Sequence, residues 1–530
     1  MSESPLPGSA PVPGPASEPR PALTAAQAVN RGTLILVTST ICFFALSFIG
    51  RLAAARALSV SDWGEFNLGV SFTTLLSVVI LLGMNNAVAR SIAYEKDHAE
   101  RRAIVRWSLL VSGVVSILAS VLTYLFAAQL AGLFHDPSLI EVFELLAATV
   151  GMGAITPMYA AVFQGFHDVV PNALFNQVLN PALFVVFVIG LLAFGWGLNA
   201  ALVAFLISDI GSLIGCVWYF HTRVHRHIPK GPVASRPNPR LWSLSVSLWG
   251  VSSLAFVTAY ADTLILGGYW PALQVGYYST AMSLARTLLL ASSALTFVFL
   301  PVAARLSREG NLAVLRTSYV TAARWILILS IPLFLLFFLL PSQSVIALFG
   351  RRYAEAAVPL QLLAVTAFAS SVIGPSNACL AGIGRNRAQL TTASFSALTN
   401  VALSFLLIPK YGVLGAAAAW GIARALYPAS NLWILYRDYG VHPFRSVLVR
   451  PLVLTLAIAA PVFLLTSIFV AGSWIVYPLF FVGLGIFVGV LLASKSLIPD
   501  DLIFVSALES VVRRRLPRLR ALVARRFAPA

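Results

Sequence analysis

Charge is the scarcest ingredient of this chain. Only 10% of its 530 residues are Asp, Glu, Lys or Arg, against about 25% in a soluble domain. Hydrophobic residues make up 59%, more apolar surface than a water-soluble fold of this length can bury. A soluble enzyme or binding domain is therefore excluded, and a bilayer must act as the second solvent. Acids are scarcer than bases, 19 against 36, which leaves a net charge of +17. That excess does not mark a nucleic-acid binder, because the cations sit in short loops between apolar runs and form no basic face. Cysteine is nearly absent too. Cys42, Cys216 and Cys379 lie far apart within apolar runs, with no CxxC and no Cys/His cluster. This excludes a disulfide framework and a zinc site, and no metal or cofactor is expected. No phosphate-binding loop and no nucleophile–base pair is found, so the chain is expected not to be an enzyme.

What the sequence does have is long apolar runs. A membrane helix needs about 20 such residues. Runs near 33–57, 65–93, 104–134, 140–165, 171–194, 197–221, 241–268, 275–301, 318–340, 355–381, 388–409, 413–436, 447–470 and 474–494 predict an all-α, polytopic protein of about fourteen transmembrane helices. Short connections rich in Pro, Gly or Asp, such as Ser61–Gly64, His135–Pro137, Gly195–Gly197 and Lys410–Gly412, join antiparallel neighbours. Residues 1–31 hold seven prolines and lack a signal peptide's apolar core, which predicts a disordered cytoplasmic tail.

The basic residues set the orientation. With the N-terminus inside, the even-numbered connections and the two tails carry 28 Lys and Arg, among them Lys96, Arg101, Arg102, Arg223, Arg305, Arg324, Arg385 and Arg437. The outer side carries Arg51, Arg56, Arg351, Arg352 and Lys410. Both termini are thus expected in the cytoplasm. The last residues, with Arg513, Arg514, Arg515, Arg518, Arg520, Arg525 and Arg526 between apolar positions, form either an amphipathic helix on anionic lipids or a solvated basic tail.

The chain also repeats itself. Residues 49–79 align with 261–291 so that Gly64 matches Gly276, and Gly195–Ala201 matches Lys410–Ala416. Each repeat has six helices, an even number, so the two lobes are parallel copies. The predicted organisation is a tail (1–31), a six-helix lobe (32–222), a basic linker (223–240), a second six-helix lobe (241–437), two further helices (438–495) and a basic amphipathic tail (496–530).

Six stretches in order carry a family resemblance: Asp62-Trp63-Gly64-Glu65-Phe66; Gly83 to Arg90; Asp262 to Gly268; Val275-Gly276-Tyr277-Tyr278-Ser279; Phe299-Leu300-Pro301; and Tyr411 to Ala417. Together these resemble the polysaccharide-biosynthesis (Wzx-type) flippases of the MATE-like exporter superfamily over roughly residues 30–495. The resemblance implies a two-lobed fourteen-helix transporter. It would move undecaprenyl-diphosphate-linked oligosaccharide across the bacterial cytoplasmic membrane, through a central, often cationic cavity lined by helices 1, 2, 7 and 8. Polysaccharide polymerases or glycosyltransferases of the same pathway are the implied protein partners.

Charge inside a span is costly, which makes each instance a candidate functional residue. Arg286 lies mid-way along helix 8, Asp262 toward the outer end of helix 7, Arg51 in the outer part of helix 1 and Arg90 near the inner end of helix 2. A guanidinium suits a diphosphate, so Arg286, with Arg51, is the expected substrate contact. Asp262 is expected to hold Arg286 or to carry a coupling proton. The other reading of Arg51 and Arg90 is snorkelling to headgroups. Aligning Gly197 with Gly412 puts Asp209 opposite Arg424, both mid-span, each with its own partner or facing a wet cavity. Asn172, Asn176, Gln177 and Asn180 share one face of helix 5, as a sugar path or as polar glue between helices. The rival readings are a multidrug exporter or a lipid II flippase of the same superfamily and, in another class, a membrane-embedded polymerase or glycosyltransferase. Helix 1 has no carboxylate of the kind a cation-coupled exporter uses, and the outer loops are too short for a catalytic domain.

Overall fold

A computed structural model of the chain describes residues 20–443 apart from Leu82 and residues 225–239, together with Val453, Val482 and Gly485. Apart from those last three residues, the expected helices 447–470 and 474–494, the C-terminal tail and most of the linker lie outside the described residues. No strand occurs among the described residues. The first half runs α1 (Arg20–Ala57), α2 (Val60–Ile80), α3 (Met84–Tyr94), α4 (His98–Leu125), α5 (Ala127–Leu133), α6 (Leu139–Gly165), a π-helix (Asn172–Leu179), α7 (Asn180–Ala193) and α8 (Gly197–Tyr219). The second half runs α9 (Arg240–Tyr269), α10 (Ala272–Ala285), α11 (Leu289–Arg308), α12 (Leu312–Leu339), α13 (Pro341–Phe349), α14 (Ala357–Ile373), α15 (Pro375–Gly382) and α16 (Asn386–Tyr439).

Ten of the described segments are long and apolar enough to cross a membrane. One of them, α16, is a hairpin of two helices folded at Gly412 (φ 54°, ψ −126°). Across it Thr392 bonds Asn431 at 2.6 Å and Ser396 bonds the Ala423 carbonyl at 2.7 Å. Counting both arms of α16 and the 30-residue α9, six spans precede the linker and six follow it. The repeat thus has a backbone counterpart: Gly197 and Gly412, matched by sequence, both hold φ at 54°.

The outward face of α4 explains the scarcity of charge. Leu110, Val114, Ile117, Leu118, Val121 and Leu125 recur at helical spacing and are all exposed, Ile117 by 68%. In water such a stripe would be an aggregation site, whereas lipid tails accept it. The opposite face carries Ser108, Ser112, Ser116 and Thr123, all buried. Small residues let α6 approach closely, so that Ser120 Oγ accepts from the Gly151 N–H at 3.1 Å.

Three local features differ from expectation. Helix α1 begins at Arg20, inside the stretch expected to be disordered. The Ser61–Gly64 segment, expected as a loop, is the first turn of α2. Ser59 caps it, accepting from the Asp62 N–H at 3.1 Å, and the Asp62 carboxylate closes a capping box. The expected helix 65–93 breaks at Gly83 (φ 68°), which separates α2 from α3.

The lobes meet where α2 crosses α10. A Cβ on Gly64 would overlap the Ala272 carbonyl, and one on Gly276 would overlap the Val60 carbonyl. The two glycines matched by the repeat are therefore the two that face each other across the interface.

Candidate functional site: an arginine cluster between the lobes

The α10 helix ends at Ala285, and Arg286–Leu288 tighten to a 3-10 turn before α11 begins. Arg286 stands at that break, partly exposed, and donates to the Ala259 carbonyl of α9 at 3.2 Å. It lies within electrostatic reach of Arg51 on α1 and of Arg424 on the second arm of α16. Tyr260 stands near Arg51, and Tyr427 near Arg424. All three arginines are partly exposed, and none forms an ion pair among the described residues. Like charges gathered within a membrane protein repel unless an anion joins them.

Asp262 does not supply that anion. It is buried, 1% exposed, and accepts a hydrogen bond from the Tyr278 hydroxyl, itself buried. The expected Asp262–Arg286 pair is not formed, although the two feel each other's charge. The carboxylate is held by the phenol and the guanidinium by a backbone carbonyl, so Asp262 belongs to the packing between α9 and α10. Its Oδ1 has no hydrogen-bond partner.

Arg90 stands apart from the cluster. It is exposed on α3, 6.0 Å from the centroid of the Tyr94 ring. Asp209 and Arg424 form no bridge. Asp209 accepts from Asn180 Nδ2 at 2.9 Å, within its own lobe. The helix 5 amides are bonded likewise: Asn176 to Ser212 at 2.7 Å and to Asn172 at 2.8 Å, and Gln177 to Ser39 at 2.5 Å. They join α1, the π-helix, α7 and α8, as glue.

Sequence reasoning missed three things. Arg324, counted as a loop cation, is 0% exposed inside α12. A pocket of about 140 Å³ opens beside Arg424, walled by Ser292, Ser293, Ser370, Ser371 and Asn377 among others. Third, the lobes lock at one end by reciprocal capping. Arg56, at the C-terminus of α1, donates to the Ala347 and Leu348 carbonyls at the C-terminus of α13. Arg352 donates to the Arg56 carbonyl, and the Tyr353 hydroxyl to the Ala55 carbonyl at 2.8 Å. Each lobe thus satisfies carbonyls that the last turn of the other's helix leaves without an intrahelical donor. The Arg351-Arg352 pair was the only hint in the sequence.

Residues 53–358 match the family described as polysaccharide biosynthesis protein. Stage V sporulation protein B of Bacillus subtilis is 23% identical over 422 residues, 74% of this chain and 81% of its own. A putative O-antigen transporter of Shigella flexneri is 19% identical over 402 residues, 73% of this chain and 93% of its own. Among solved structures, the lipid II flippase MurJ in an inward closed conformation superposes with a TM-score of 0.66 at 14% identity, covering 87% of this chain and 99% of its own. An inward-facing multidrug resistance MATE family transporter of the MOP superfamily gives 0.61 at 15% identity, covering 78% and 98%. At these identities the structural likeness establishes the fold alone.

Proposed function

The chain belongs to the polysaccharide biosynthesis protein family, and on that footing we propose that it flips polyprenyl-diphosphate-linked oligosaccharide across the bacterial cytoplasmic membrane. The observation that carries this reading is the cluster of Arg51, Arg286 and Arg424, partly exposed and without a paired carboxylate among the described residues. A diphosphate held by Arg51 and Arg286 supplies the missing negative charge and offers oxygens matched to guanidinium forks. The protein makes and breaks no bond of the cargo; it carries it by alternating access.

Orientation follows from the cationic loops, which put both termini in the cytoplasm. The Arg56–Arg352 lock then closes the periplasmic end. A lipid-linked glycan would enter from the cytoplasmic side, with its diphosphate drawn to the arginines, and breaking the lock would release it outward. Enzymes that assemble the lipid-linked unit would supply the cargo, and those that polymerise or transfer it would consume it.

Arg286→Ala should abolish glycan export in a complementation assay at unchanged protein level. Full export by that variant would remove Arg286 from the mechanism. Mass spectrometry of a deletion strain identifies the cargo. An accumulating polyprenyl-diphosphate oligosaccharide supports this reading, lipid II accumulation moves the chain to peptidoglycan precursors, and an unchanged lipid-linked pool sinks both.

A further inference from the structure

The pocket beside Arg424 lies wholly within the second lobe, between α11, the α14–α15 break and the second arm of α16. Its volume is about 140 Å³. An apolar cavity of about 150 Å³ takes one benzene ring, so this open pocket is the size of one bare six-membered ring, and the outer substituents of a sugar extend through its mouth. Its lining carries one charge, that of Arg424, whose Nε has no hydrogen-bond partner.

The serine hydroxyls in its wall have already spent their protons. Ser292 donates to the Ser371 carbonyl at 3.1 Å, Ser370 and Ser371 to the Ala367 carbonyl at 3.0 and 2.8 Å, and Ser293 to the Leu289 carbonyl at 2.9 Å. What these oxygens offer a ligand is therefore lone pairs, which accept from its hydroxyls. The Asn377 Oδ1 is taken by Asn431 at 2.7 Å, which leaves the Asn377 amide N–H groups as donors. A matching ligand brings several hydroxyl donors, one anionic oxygen for Arg424 and one ring. Inorganic phosphate brings the anionic oxygen but no ring and only one or two hydroxyls, and a neutral sugar lacks the charge.

We propose that this pocket is a subsite for one acidic pyranose of the transported glycan, its carboxylate on Arg424 and its hydroxyls on the serine oxygens. The inference rests on the flippase reading and narrows the cargo to glycans that carry a uronic acid or a similar carboxylated ring.

The test uses the full chain in lipid nanodiscs, with saturation-transfer NMR on glucuronate, glucose and inorganic phosphate. Glucuronate should give a signal about tenfold stronger than glucose, the size of one charge-assisted contact, and phosphate should displace it poorly. Arg424→Gln should bring glucuronate down to the glucose level. Ser293→Leu, at an exposed position of the wall, should weaken both sugars in a protein that still folds. Unchanged glucuronate binding in both variants, or displacement by phosphate at equal concentration, overturns the subsite. A parallel measurement of undecaprenyl diphosphate binding in Arg286→Gln separates the two ideas. Diphosphate binding that needs Arg286, without glucuronate binding, removes the pocket and keeps the flippase. Diphosphate binding indifferent to Arg286 sinks the flippase reading itself.

Discussion

In the first lobe, Asp209 is hydrogen-bonded by Asn180, and around it Asn172, Asn176 and Ser212 bond one another. In the second lobe the position equivalent to Asp209 is Arg424, whose Nε has no partner, beside a polar pocket. The backbones tell the opposite story. Gly64 and Gly276 face each other at the α2–α10 crossing, and Gly197 and Gly412 both hold φ at 54°. The repeat has kept its packing and exchanged its charge. A duplicated scaffold whose halves were equivalent throughout would present the same chemistry twice. Here the first lobe closes the polar groups around Asp209 on one another, and the second leaves Arg424 Nε without a partner.

The strongest way to break the comparison is at the shared crossing. Gly64→Ala and Gly276→Ala each drive a methyl group into a backbone carbonyl of the opposite lobe, and a backbone cannot swing aside as a side chain can. Overpacking of this kind costs about 1–3 kcal/mol or more. Because the contact is reciprocal, the two variants should lower the melting temperature in detergent by similar amounts. A large effect at one glycine and none at the other would mean that the crossing is not shared between the halves.

Why the crossing could be found in the sequence, and the rest could not, is a matter of range. Spans are legible because a bilayer imposes its thickness on every apolar run. The glycines are legible because both copies carry them. Arg424 stands out for the same reason, since alignment of Gly197 with Gly412 exposes a mid-span cation. Capping hides in the chain. Arg56 and the carbonyl oxygens it reaches are nearly three hundred residues apart, so each end looks like an ordinary loop cation. The Asp262–Arg286 pair was expected because opposite charges on neighbouring helices attract. Tyr278, sixteen residues after Asp262 and on the next helix, takes the carboxylate instead. Arg324 was misplaced because an Arg close to a basic loop reads as part of it. With α12 starting at Leu312 it sits about three turns inside.

A smaller effect is expected at the lock, which also joins the two lobes but through side chains. Arg56→Ala removes the donors to Ala347 and Leu348 and leaves the α2–α10 crossing intact. These bonds are solvent-exposed, so each contributes about 0.5–1.5 kcal/mol, enough to shift the population toward the opened state without unfolding the protein. In a cysteine-free background, a reporter at Ala55→Cys should react about tenfold faster with a membrane-impermeant maleimide when Arg56 is Ala, a factor worth about 1.4 kcal/mol. Unchanged labelling would show that the glycine crossing alone holds that end closed.

The smallest effect belongs to Asp209, and it sharpens the contrast with Arg424 most. If the first lobe's polar network is structural, what matters at Asp209 is the oxygen that accepts from Asn180, not the charge. Asp209→Asn keeps an acceptor in the same place, and Asn180 can still donate to it. Export should then stay within about twofold of the parent, less than the ~1.4 kcal/mol that a tenfold loss represents, and should not vary with the proton gradient differently from the parent. Asp209→Leu, by contrast, strands the Asn180 amide in the helix interface and should cost about 1–3 kcal/mol of stability. A tenfold loss of export in Asp209→Asn with normal stability would assign the charge itself to the transport cycle. The two lobes would then divide the work, an acid in one and a base in the other, where the present geometry gives the first lobe only cohesion.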